Sequence, residues 1–134
     1  MNNTVSKLTK QLILNELIDE NRFNETIKSF DCKFPLEYLE FMRAKNGGEG
    51  PIGDNNYIRF WPFEELKEAN SDYHVEEFAP ELLLIGTDGG GTAYGFRKLE
   101  GTFVEVPFIG MSDPEEIVER GKTFLEFVSY LASI

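Results

Sequence analysis

A chain of 134 residues, 41% hydrophobic and 13% aromatic, is long enough for one domain with its own core and is not composed like a disordered segment. Thirteen Lys and Arg against twenty-four Asp and Glu leave a formal charge of −11, which disfavours nucleic acid and anionic membranes as partners and favours basic ones. No apolar run reaches the roughly eighteen residues of a membrane span, no basic-then-apolar leader opens the chain, and a single cysteine, Cys32, excludes an internal disulfide. The expectation is a cytoplasmic protein without cofactor or metal.

In chain order, Val5, Leu8, Leu12, Leu14, Leu17 and Ile18 recur mostly at helical steps. They predict an amphipathic helix from Thr4, its N-cap, to Ile18, with Asp19-Glu20-Asn21 as the exit. Asn21 to Phe30 is too brief a pattern to decide between a helical turn and irregular chain. Pro35 suits a first helical turn, and Tyr38, Phe41 and Met42 share one face with Leu39 at its edge. That helix should stop at Asn46-Gly47-Gly48, where a left-handed residue costs little. Glu49 to Asn56 is dense in turn formers and reads as an exposed loop.

Tyr57 to Trp61 alternates and predicts a strand ended by Pro62, with Trp61 read as core. Phe63 to Ala69 is helix-prone, and Asn70 to Pro80 is acidic and irregular or loosely helical. Leu82 to Thr87 and Thr92 to Phe96 flank Asp88-Gly89-Gly90-Gly91 and predict a central hairpin whose turn needs glycine. A phosphate-cradling reading of those glycines lacks the helix and the Lys-Ser or Lys-Thr pair it requires. Thr102 to Val106 continues the sheet, closed by Pro107, and Phe108-Ile109-Gly110 is a candidate extension. Asp113 caps a short helix from Pro114 through Val118. Thr123 opens the last helix with a capping-box spacing to Glu126, and Phe124, Phe127, Val128 and Leu131 form its apolar stripe. Helices, then clustered strands, then helices predict a single α+β domain with a mainly antiparallel sheet.

Chemistry is scarce. The lone His74 sits in an acidic stretch and reads as a solvated residue; nothing in the spacing supports a nucleophilic triad, and one His with one Cys cannot supply a structural zinc site. Cys32 reads as a packing residue or an idle thiol. The paired acids Glu64-Glu65, Glu76-Glu77 and Glu115-Glu116 point apart and face water rather than forming a glycosidase pair. No catalytic residue is assigned. The feature above background is a run of seven acids from Glu64 to Glu81 against the single cation Lys67. Glu64, Glu65, Glu68, Asp72, Glu76 and Glu77 are the candidate partner-binding residues, next to Phe60-Trp61.

Several segments are similar to one known family. Phe34-Pro35-x-x-Tyr38-x-x-Phe41, closing in Asn46-Gly47-Gly48, resembles a characteristic helix of the SUKH superfamily. Phe60-Trp61-Pro62-Phe63-Glu64-Glu65-Leu66 looks like its strand-to-helix segment. Ile85-Gly86-Thr87-Asp88-Gly89-Gly90-Gly91-Thr92-Ala93-Tyr94 resembles its central glycine-rich signature, and Val106-Pro107 and Thr123-Phe124-x-x-Phe127 its closing segments. The resemblance runs from about residue 34 to 131 of a single domain spanning 1–134. It implies helices around a mainly antiparallel sheet, signature residues that are structural, and no catalytic residue. It also implies a bacterial immunity protein that binds and neutralises a cognate polymorphic toxin, often a nuclease, which with the −11 charge is expected to be basic. The alternative it leaves open is a scaffold or ligand-binding regulatory module on the same fold.

Overall fold

An antiparallel meander forms the middle of the protein in the computed structural model, which describes residues 1–134. Its strands are β1 (Gly48–Ile52), β2 (Asn56–Phe60), β3 (Leu82–Thr87), β4 (Thr92–Arg97), β5 (Phe103–Pro107) and β6 (Val118–Gly121), adjacent in that order. Four helices pack about one face: α1 (Asn3–Leu8), α2 (Glu20–Lys28), α3 (Leu36–Lys45) and α6 (Phe124–Ser133). The other face carries α5 (Val75–Phe78), while α4 (Leu66–Asp72), which follows a 3-10 turn at Phe63–Glu65, puts its buried Leu66 into the larger core. The fold is α+β, with the glycine-turn hairpin β3–β4 at its centre.

Because strand side chains alternate, β3 serves both faces. Leu83 and Ile85 enter the larger core with Phe34, Tyr38, Phe41, Phe96, Phe103, Phe124 and Phe127, whereas Leu82 and Leu84 meet Val75, Ala79, Val104 and Val106 in the smaller one. The apolar face read on α3 is buried as expected, and so is the stripe on α6. Rings do much of the filling: Phe23 stacks on Phe63 at 4.6 Å, and Phe103 on Phe127 at 5.2 Å. A bulge falls between Leu84 and Gly86. Glycine is required there, since a Cβ at Gly86 would lie 2.4 Å from the carbonyl oxygen of Arg59 on β2. The freed carbonyl of Ile85 accepts from the Trp61 N–H at 3.1 Å, which holds Trp61 just past the end of β2.

The expected first helix is corrected. It runs only from Asn3 to Leu8, capped by Asn2, whose Oδ1 accepts from the N–H groups of Thr4 and Val5. The buried Thr9 donates its hydroxyl to the Val5 carbonyl at 2.8 Å, and Ile13 then pairs with Glu49 along the outer edge of β1. Leu12 is buried while Ile13, Leu14 and Leu17 stay exposed, so the apolar spacing joined residues that share no face. Asp19, read as an exit, instead caps α2 through the Arg22 N–H at 2.9 Å.

The loop read over Glu49 to Asn56 is also corrected, because most of it is the hairpin β1–β2. Its glycines mark close packing rather than exposure: a Cβ at Gly48 would lie 2.6 Å from the Ile13 carbonyl oxygen. Phe108 to Gly110 turns away from the sheet instead of extending it, and the next strand is β6, short and charged, which the sequence reading missed. The Pro114 helix is a single 3-10 turn that stops at Glu116, because Val118 is taken up in pairing with Glu105 of β5. Trp61, read as core, is half-buried at the rim between the two cores.

Candidate partner-binding face

The acidic segment is held against the sheet by two asparagines. Asn46 ends α3 in the left-handed region at φ 54° and is fully buried. Its Oδ1 accepts from the Phe63 N–H at 2.8 Å, while its Nδ2 donates to the Glu16 carbonyl and to Glu64 Oε1, each at 2.8 Å. These bonds satisfy groups that would otherwise be buried and unpaired where the chain turns from β2 into α4. Asn70 does the same one helix further on. Its Nδ2 donates to the Leu84 carbonyl at 3.0 Å and its Oδ1 accepts from the Leu84 N–H at 2.9 Å, so α4 is pinned to the bulge in β3.

Of the six candidate residues, Glu65, Glu68 and Asp72 come together around one groove of about 270 Å³. Their spacing of three and four residues puts them on one side of the helical segment. The groove is lined on its apolar side by Trp61, Ala69 and Tyr73. The Trp61 and Tyr73 rings are nearly parallel, 16° apart with centroids at 6.0 Å, and Tyr73 in turn stacks on Phe108 at 4.4 Å. Phe108 is fixed there by its N–H, which donates to the Gly91 carbonyl at 2.9 Å. Arg59 completes the lining, with its guanidinium paired to Glu49 at 3.3 Å.

The other candidates stand apart from this groove. Glu64 is half-buried and turned to Asn46. Glu76 on α5 pairs with Lys98 at 3.2 Å, and Glu77 is exposed without a cation partner. Lys67, the one cation of the acidic run, points elsewhere: its Nζ donates to the Ser29 carbonyl and lies 5.1 Å from the centre of the Phe30 ring. Tyr73 and Phe108 were not candidates on sequence. They lie thirty-five positions apart and meet only because the chain after β5 folds back over α4.

The glycine-rich turn closes on itself. Asp88 Oδ1 accepts from the Gly90 N–H at 2.8 Å and the Thr92 N–H at 3.3 Å, and the Thr87 hydroxyl donates to the Thr92 carbonyl at 2.7 Å. A phosphate would have to displace an internal carboxylate to reach those amides. His74 is exposed beside Phe78, and no group of three or more His, Cys, Asp or Glu side chains is arranged to hold a metal ion. Two other cavities, of about 380 Å³ each, lie by Cys32 and Lys98 and between Leu99 and the start of α6. Burial pushes the Cys32 thiol up from its ordinary range, which makes it a poor nucleophile.

A model of the SMI1 / KNR4 family (SUKH-1) matches residues 17–130, which takes in the whole sheet and the segment that carries the groove. The chain belongs to that family, whose members are known for immunity-type domains. No individually curated protein matches it. No helix is long and apolar enough to cross a membrane.

Proposed function

We propose that this chain is a non-enzymatic immunity protein that acts in the cytoplasm, binding and neutralising a cognate polymorphic toxin through the acidic side of α4. The carrying observation is that Glu65, Glu68 and Asp72 converge on an aromatic groove and have no cation partner in the chain. Like charges gathered at one place raise the energy of the free protein, and a basic partner lowers it. A nuclease fits this reading best, since its substrate-binding surface must be basic to hold phosphate, and an acidic protein can occupy that surface in place of nucleic acid. Family membership supports the same class of function.

Co-expression with the C-terminal domain encoded by the adjacent upstream gene, followed by growth rescue and pull-down, tests the proposal. Rescue with a tight complex that weakens as salt rises is the expected result. Absence of both rescue and complex would overturn it and leave a scaffold or ligand-binding module. Turnover of a substrate by the purified protein that depends on these acids would overturn the non-enzymatic part.

A further inference from the structure

Beyond a generally acidic face, and resting on the toxin-binding reading for the identity of the partner, we infer that the groove at Trp61 and Tyr73 is a socket for one arginine side chain of a partner protein. Its size is the first argument. A space of about 270 Å³ is below the roughly 300–1,000 Å³ of a drug-sized ligand site and suits a single long side chain.

Its chemistry is the second. One side offers flat aromatic surface: Trp61, and Tyr73 held in place by the stacked Phe108. The rim offers the oxygens of Glu65, Glu68 and Asp72, while the positive charge of Arg59 is already matched by Glu49 outside the groove. A guanidinium uses both parts at once. Its plane stacks on the rings, and its fork of N–H donors reaches carboxylate oxygens in bidentate fashion. A lysine ammonium is more strongly hydrated and has no face to stack, so it gains only the charge. Electrostatic attraction alone would treat the two alike. The combination of rings and acids separates them.

Trp61 is the only tryptophan, so its fluorescence reports on the groove directly. The probes are blocked glycine peptides carrying two arginines, two lysines or two citrullines, titrated into the full chain at low salt. The arginine peptide should saturate the Trp61 signal. It should bind at least about fivefold more tightly than the lysine peptide, and the citrulline peptide should leave the signal unchanged. Amide NMR shifts should centre on Trp61 and on Glu65 to Tyr73. The variant E65Q/E68Q/D72N, exposed at all three positions, should weaken arginine binding at least about tenfold with an unchanged circular dichroism spectrum. Tyr73→Leu should keep the attraction but erase the preference for arginine over lysine.

Equal binding of arginine and lysine peptides would overturn the socket, as would NMR shifts centred away from Trp61. Growth rescue that persists in the triple variant, without peptide selectivity, would sink the socket and leave toxin binding standing. Arginine-selective binding by a chain that rescues no toxin would support the socket and overturn the toxin reading.

Discussion

With its side chain shielded from water, Asn46 joins the end of α3, the Glu16 carbonyl, the Phe63 N–H and the Glu64 carboxylate, all from a left-handed backbone that asparagine tolerates better than most residues. Asn46→Ala should cost about 3–5 kcal/mol, because it leaves buried partners unpaired as well as losing the bonds. Glu64→Ala should cost about 1 kcal/mol and add little on top of Asn46→Ala, since both report on one network. Urea unfolding of the double-mutant cycle checks both statements. Tyr38 is the opposite case. Its hydroxyl is buried among rings and finds no hydrogen-bond partner, so Tyr38→Phe should be neutral or stabilise by about 1 kcal/mol. Burial, more than the nearby Cys32, holds its phenol far above the ordinary range. Tyr94 is raised too, by burial and then by Glu105. Above pH ~10 the unfolded chain ionises at these positions while the native chain keeps its protons. The unfolded state then binds fewer protons, so stability falls as pH rises, by about 1.4 kcal/mol per pH unit for Tyr38 alone. Urea midpoints taken on either side of pH 10 should show the fall, and Tyr38→Phe should make it shallower.

At the scale of elements, the best-read parts are those whose local signals and tertiary roles agree. α3 and α6 carry an apolar face, with a left-handed stop at Asn46 on one and a cap at Thr123 on the other, and the β3–β4 hairpin needs only its own turn. The misread parts depend on partners distant in sequence. Ile13 is extended because it meets Glu49, and β6 is a strand because β5 lies beside it, although Glu119 and Arg120 give it no apolar pattern. The site divides the same way. The spacing of Glu65, Glu68 and Asp72 marks one helical side in the sequence, but nothing there announces that Tyr73 and Phe108 will stack beside them or that Glu64 turns inward. Asn70 is the joint between this element and the sheet. Asn70→Ala strands the Leu84 N–H at the bulge and should cost about 1–3 kcal/mol. Hydrogen exchange should quicken most in α4 and α5, and least in β4, β5 and α6, which Asn70 does not touch. Uniform quickening across all of these would show that α4 opens only with the whole domain.

On the scale of the whole molecule, a charge of −11 speeds encounter with any basic partner, so salt-sensitive binding alone does not locate an interface. Position has to be separated from amount. Reversing Glu65, Glu68 and Asp72 to lysine moves the formal charge from −11 to −5, two charges at each of three sites. Reversing Glu25, Asp54 and Glu119, exposed on α2, on the β1–β2 turn and on β6, makes the same change elsewhere. At physiological salt the screening length is about 8 Å, so charges at the contact dominate and distant ones are damped. The groove reversal should therefore slow association with the proposed toxin partner by about 10–100-fold at physiological salt and flatten the dependence of the rate on ionic strength. The dispersed reversal should slow it by less than about fivefold and leave most of the slope. Stopped-flow association rates at several salt concentrations measure both. If the two variants lost the same amount, net charge rather than the α4 face would steer the encounter, and the interface would have to be sought among the other exposed surfaces of the sheet.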